Sequence, residues 1–292
     1  MIKIITCFWN VESYIEKSIK SIMSQKFTEY KVYLVDDLST DNTVEKIKSL
    51  INGDERFILI SNSEKKFKLR NMDELFRDTN LFDDEDIIVE LDGDDWFYDD
   101  NVLKLINSKY NSNPKLWLTS GSWVWHNRHV RFFTKFNTHS VKCNRIKLSQ
   151  LKTWIIHLWS NIYQLWLTKG RWKWTNCQFG FSAKANPDTV RYDQFKFSHL
   201  RTWKIHLWRN IKQDSFKYDD GNYFISSADV AYSFPMVEMA GNEHYEFIPN
   251  ILLVYNGENP GSDHKVGASS GKPDEQAKIH KIISNRSKYN RL

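Results

Sequence analysis

The chain is poor in residues that interrupt regular structure. It has 11 glycines and 6 prolines in 292 residues, and no linker-like stretch divides it into two halves. One catalytic domain with an elaborated middle and a tail is therefore expected. No run of about 18 apolar residues occurs, which excludes a spanning helix as read from sequence. Met1 leads into Ile2-Lys3-Ile4-Ile5-Thr6, too short and too quickly polar for a secretory h-region. The 3 cysteines, Cys7, Cys143 and Cys177, are odd in number and lack metal-ligand spacing. A cytoplasmic, reduced protein is the expectation, with peripheral contact to a membrane left open.

What is abundant is uneven. The net charge of +5 hides a basic middle: residues 116–213 carry 17 Lys/Arg against two acids, Asp188 and Asp193. The rest of the chain is correspondingly acidic. A basic insert in an acidic body suggests an anionic partner, or else a solvated basic face. Nucleic acid is not the expected partner; it would require steeply salt-dependent binding.

The middle also repeats itself at a constant offset of 49 residues, with about half the aligned positions identical. Leu116-Trp117-Leu118-Thr119 returns as Leu165-Trp166-Leu167-Thr168. Leu151-Lys152-Thr153-Trp154 returns as Leu200-Arg201-Thr202-Trp203. Ten of the 12 tryptophans lie in the two copies, 116–164 and 165–213. Two copies are too few for a solenoid. One copy is expected to hold the normal place in the fold, with the other inserted beside it.

Residues 1–115 alternate strand and helix. Strands are predicted at Lys3–Thr6, Lys31–Val35, Phe57–Ile60 and Ile87–Leu91. Helices are predicted at Glu12–Gln25, from Asn42, at Lys68–Phe76 and at Asn101–Tyr110. This rhythm implies an α/β fold, a mainly parallel sheet with helices on both faces. Ligands in such sheets bind beyond the carboxyl ends of the strands, where Thr6–Asn10, Asp36–Asp37 and Asp92–Asp95 fall. Ser226–Ala240 reads as a helix and Phe247–Tyr255 as a last strand. Residues 256–292 read as mobile, with a weak helix near Glu275–Ile283. Residues 214–255 would form the acceptor side.

Asp92-Gly93-Asp94-Asp95 crowds carboxylates behind an apolar strand, where they repel unless neutralised. Oxygen ligands suit Mg²⁺ or Mn²⁺, held through carboxylates and substrate phosphates. An acidic turn capping the next helix is the plain alternative. In Val35-Asp36-Asp37-Leu38-Ser39-Thr40-Asp41-Asn42-Thr43, a strand-end carboxylate can accept from a base or ribose, while Asp41 or Asn42 caps the helix.

Together these segments resemble glycosyltransferase family 2: Thr6-Cys7-Phe8-Trp9-Asn10, then Val35-Asp36-Asp37-Leu38-Ser39-Thr40-Asp41, then Leu91-Asp92-Gly93-Asp94-Asp95. The match covers the first 115 residues well; Leu38 stands where glycine is frequent. The resemblance implies a GT-A fold with the duplicated strand–helix unit as an insert. It implies a nucleotide-sugar donor, UDP-sugar first, usually with Mn²⁺ or Mg²⁺, and a glycan or glycolipid acceptor. It places Thr6, Phe8, Asn10, Asp36, Asp37 and Gly93 around the nucleotide and makes Asp92 and Asp94 the DxD pair. Lys68 and Arg70 would approach the diphosphate, or simply begin a solvated helix. His264 would complete the metal site. Asp229, in Ser226-Ser227-Ala228-Asp229, is the candidate base of an inverting reaction; the usual Glu-Asp pair is missing, and Ser226-x-x-Asp229 also has the form of a capping box. His199, Arg201 and Trp203, in the second repeat copy, would line the acceptor or phosphates. A noncatalytic carbohydrate- or membrane-surface adaptor and a nucleotidyltransferase are the rival readings; the second would want a glycine-rich basic loop after the first strand, which Thr6–Asn10 lacks.

Overall fold

A computed structural model describes residues 1–126, 178–179, 184–193, 197, 199–260 and 273–292. Its strands are β1 (Ile2–Phe8), β2 (Tyr30–Asp36), β3 (Phe57–Ser61), β4 (Ile87–Glu90), β5 (Trp96–Phe97), β6 (Leu118–Trp125), β7 (Gln178–Phe179), β8 (Arg201–Lys204) and β9 (Tyr245–Tyr255). Its helices are α1 (Ile15–Met23), α2 (Thr43–Leu50), α3 (Phe67–Phe76), α4 (Val102–Ser112), α5 (Ile205–Arg209), α6 (Ala228–Ala240) and α7 (Pro273–Asn285). One sheet joins the described strands in the order β3-β2-β1-β4-β8-β6-β9-β5, with β7 paired to β6. The first four are mutually parallel, and β8 turns the sheet antiparallel against both β4 and β6.

The sheet buries a core on each face. On one side Ile15, Ile19 and Ile22 of α1 pack with Ile47, Leu103 and Ile106 against Ile4, Val32 and Val89. Their i, i+4, i+7 spacing is the helical stripe visible in the sequence. Each such side chain, taken from water, contributes roughly 1.5–3 kcal/mol. On the other side α3, α5, α6 and α7 cover Ile5, Ile88 and Leu118. Trp203, nominated from sequence for the acceptor site, lies in this second core with no exposed surface, among Phe76, Trp208 and Tyr232. Both faces of β8 are covered, so alternation there could not separate a core tryptophan from a site one.

The repeat enters the sheet in an unexpected way. Among the described residues, β6 comes from the front of the first copy, and β7, β8 and α5 come from the second. Neither copy supplies the described sheet by itself. Trp125 pairs with Gln178 and Val124 with Phe179.

The helix expected near Glu275–Ile283 is present as α7, packed against the second core. Ile279 and Ile283 are buried, and the amide of Leu292 donates to the Met239 carbonyl.

Candidate active site

The carboxyl ends of β1, β2 and β4 meet around three loops. Thr6 is buried, and its hydroxyl finds no partner. Phe8 lies over Gly93: a Cβ at Gly93 would stand 2.6 Å from the Phe8 Cβ, so only glycine allows this approach. Asn10, at φ +50°, accepts from the Thr40 amide at 2.8 Å, and its own amide donates to Ser39 Oγ at 3.0 Å. Asn10 therefore laces the first loop to the second. Trp9 stays half exposed, with the Lys65 ammonium 3.8 Å from its ring.

The two aspartates of the second loop differ. Asp36 accepts from the Ser39 amide at 3.0 Å. Asp37 accepts the amides of Lys66 and Phe67 at 2.8 and 3.0 Å, and the side chains of Asn62 and Asn71. Burial alone would raise its pKa; these donors outweigh burial and hold the carboxyl below its ordinary range. Asp37 thus fixes the start of α3, its oxygens shared among backbone amides, Asn62, Asn71 and the Lys65 ammonium 3.3 Å away. Asp41 caps α2 through the Thr43 amide at 3.1 Å. Arg70 is turned to acids of its own segment, Glu74 at 2.7 Å and Glu64 at 2.8 Å.

After β4 the carboxylates crowd as predicted. Asp92 contacts the Lys68 ammonium, which also lies 2.7 Å from Glu90. Burial would lower the Lys68 pKa, but Asp92 and Glu90 overcome it and hold the ammonium charged. Among the described residues, Asp94 has no such cation. Burial and the charge of Asp92 push its pKa up to about 6, and its Oδ2 accepts from Asn259 at 2.7 Å. Asp95 is buried and shifted further upward by burial, Asp94 and Asp92. Its Oδ1 accepts the Asn256 amide at 2.7 Å, and its Oδ2 has no partner. An orphaned carboxylate oxygen beside two more carboxylates is a donor set that fits a hard divalent cation.

Asp92, Asp95 and His199 bring ligand atoms within 4.8 Å of one another. His199 is the weakest of these as a ligand. Its Nδ1 lies 3.3 Å from Arg201 Nη2, and arginine can only donate. The imidazole proton then sits on Nε2. Burial and Arg201 lower the His199 pKa to about 3, so the ring is a neutral donor. The two carboxylates of that group are Asp92 and Asp95; Asp94 lies beside it but is not part of it. His264 lies outside the described residues.

Every residue of α6 is buried except Asp229, the second residue of the helix. Asp229 accepts the adjacent Val230 amide at 3.0 Å. Ser226 Oγ is buried without a partner, so the anticipated capping box is not formed. Arg201 Nη1 lies 3.6 Å from Asp229 Oδ2. Beneath these groups Glu90 receives Arg201 Nε at 2.8 Å and the Tyr232 hydroxyl. Glu90 and Tyr232 were not singled out from sequence, and Trp9 and Asp95 were read only as parts of their motifs. Glu90 had a signal, an acid ending the apolar run Ile87-Ile88-Val89.

Known proteins share the fold. Staphylococcus aureus TarS, solved with UDP-GlcNAc, superposes with a TM-score of 0.57 at 13% identity, over 97% of this chain and 65% of that one. The Pyrobaculum calidifontis mannosyltransferase PcManGT, solved with GDP-Man and Mn²⁺, gives 0.55 at 15% identity, over 99% and 65%. At such identities the likeness speaks for the fold, which is GT-A. In sequence, the chain is 32% identical over 122 residues to the dTDP-rhamnosyl transferase RfbG of Shigella flexneri, over 39% of this chain and 42% of that protein. It is 34% identical over 62 residues to an uncharacterized glycosyltransferase of Haemophilus influenzae, over 21% and 19%. The chain thus spans less than half the length of these curated relatives. The model of glycosyl transferase family 2 matches residues 3–163, more than half of the chain, and the chain belongs to that family.

Proposed function

We propose that this glycosyltransferase moves a hexose from a nucleoside-diphosphate sugar, UDP-sugar first, to a hydroxyl of a glycan or glycolipid, with inversion at the anomeric carbon. The observation that carries the reading is the isolation of Asp229. It is the one solvent-reaching residue of an otherwise buried helix, and it stands across Arg201 and Glu90 from the Asp92–Asp95 cluster. An acid in the first turn complements the helix dipole, and its exposure there also leaves its carboxylate within reach of an acceptor.

In this scheme Asp229 takes the proton of the acceptor hydroxyl. The acceptor oxygen forms its bond to the anomeric carbon. The bond from that carbon to the phosphate oxygen breaks, and the nucleoside diphosphate leaves with the electron pair. Asp92, Asp94 and Asp95 would hold a divalent cation, Mn²⁺ or Mg²⁺; when bound, it offsets the diphosphate charge and stabilises the leaving group. Trp9 offers an exposed ring for the base, and Asp36 stands at the ribose. Thr6 and Phe8 wall the base pocket from beneath. Lys68 and the neutral His199 face the diphosphate, and Arg201 orients Asp229.

The test is release of nucleoside diphosphate from a panel of nucleotide-sugars with Mn²⁺, for wild type and Asp94→Ala. Turnover of one donor that disappears in the variant is the expected result. UDP or GDP bound without turnover in the presence of varied glycans would favour an adaptor. Absence of any metal-dependent nucleotide binding would sink the proposal.

A further inference from the structure

The geometry points to Glu90 as a positioning residue that shares Lys68 with Asp92 and Arg201 with Asp229, so holding the two carboxylates of the proposed reaction in fixed relation. The inference rests on the roles given above to Asp92 and Asp229.

Glu90 ends β4, a strand with β1 on one side and β8 on the other. Its side chain points to the same sheet face as Ile88, the face covered by α3 and α6. Three elements converge on it there. Lys68 of α3 comes within 2.7 Å, Arg201 of β8 within 2.8 Å, and Tyr232 of α6 donates its hydroxyl. Glu90 and Arg201 are almost fully buried. Burial opposes the charge on Glu90, yet Arg201 and Lys68 hold its pKa well below the ordinary range.

Each cation has a second carboxylate, and both of those are partly exposed: Lys68 meets Asp92, and Arg201 meets Asp229. A core needs no such arrangement. An apolar residue at position 90 with uncharged neighbours would fold as well or better, because desolvating ions is expensive. What Glu90 adds is a partition of charge. It engages each cation from below, so neither is given wholly to the carboxylate above. Without it, Lys68 would give its whole charge to the Asp92 it already touches and compete with a divalent ion, and Arg201 would close on Asp229 and hinder its approach to an acceptor.

The test is Glu90→Gln in the full chain, which preserves shape and removes the charge. Thermal unfolding establishes that the variant folds. Mn²⁺ binding is read by electron paramagnetic resonance, and kcat and KM are read with the donor found in the screen. Mn²⁺ affinity should fall about tenfold, the scale of a lost outer partner of a metal ligand. The kcat should fall about tenfold or more while donor KM moves less than about threefold. In an Asp229→Asn background the same substitution should reduce kcat by less than about threefold further, because its route to the base is already gone. Unaltered kcat and Mn²⁺ affinity in folded Glu90→Gln would overturn the inference. So would equal losses of kcat in both backgrounds with unchanged Mn²⁺ binding, the signature of a purely structural role. If Glu90→Gln does not fold, Tyr232→Phe removes one restraint on Glu90; a severalfold loss of kcat is expected, and no loss would overturn it. Asp92→Asn and Asp229→Asn run alongside. Full turnover in both would remove the roles on which the inference rests, and this outcome is distinct from a silent Glu90→Gln.

Discussion

Asp94 is a carboxylic acid held near the point of ionisation, and two outcomes follow from the direction of its shift. Its pKa in the metal-free fold is raised to about 6, whereas the unfolded chain ionises near 4. The folded state therefore binds the proton more tightly. Its contribution is favourable below the unfolded value and is lost as pH rises through about 6. Without metal, the wild-type protein should lose stability relative to Asp94→Asn between about pH 4 and pH 6, measured as a difference in melting temperature. A divalent ion must displace that proton, so Mn²⁺ affinity should fall by up to about tenfold per unit below pH 6 in titration calorimetry. Leu38 gives a second case. It adopts φ +67° in a turn where the family favours glycine, and it is exposed. A branched residue in this region costs roughly 1–2 kcal/mol. Leu38→Gly should therefore leave nucleotide binding intact and raise the melting temperature, with a gain of up to about 1 kcal/mol. Residues of this kind were legible in the sequence, because turn chemistry is local. Trp203 was not, since a short strand covered on both faces shows no alternation.

At the scale of elements, the first four strands and their helices were legible because apolar periodicity and strand-end aspartates coincide. The two-residue β5 was too short to leave a pattern. The helix near Glu275–Ile283 was legible from its apolar positions, but what Ile279 and Ile283 pack against was not. Its anchorage is ionic, and a pairing so distant in sequence leaves no local trace. Glu238 of α6 pairs with Arg191 at 2.5 Å, both buried, and its carboxylate accepts the Tyr289 amide. Glu238→Ala would strand a buried guanidinium and release the segment after α7. A loss of about 3–5 kcal/mol is expected by denaturant titration, with faster hydrogen exchange across residues 273–292. Loss of exchange protection confined to α6 would contradict this anchorage.

Across the whole molecule, the basic middle finds part of its anionic partner at home. Arg201, Lys204, Arg209 and Arg191 pair with Glu90, Glu85, Asp84 and Glu238. The charge asymmetry seen in the sequence is in this part a matter of internal assembly. Among the described residues, no helix is long and apolar enough to cross a membrane. The repeat was legible, but its use was not, because pairing between copies is a property of the sheet. Trp125 opposes Gln178 in an antiparallel pair. Removing residues 127–175, one repeat length, would leave His126, Asn176 and Cys177 between them, an ordinary hairpin loop. This shortened chain should fold with a similar melting temperature and turn over the same donor as the full chain. An unfolded or inactive product would show that the inserted copy is required.

That pairing also bears on inheritance. Misaligned recombination between the two copies would gain or lose one unit while keeping the reading frame and both flanking strands. If the shortened chain folds as expected, the β6–β7 pairing is the joint that would let chains of either length close the same sheet.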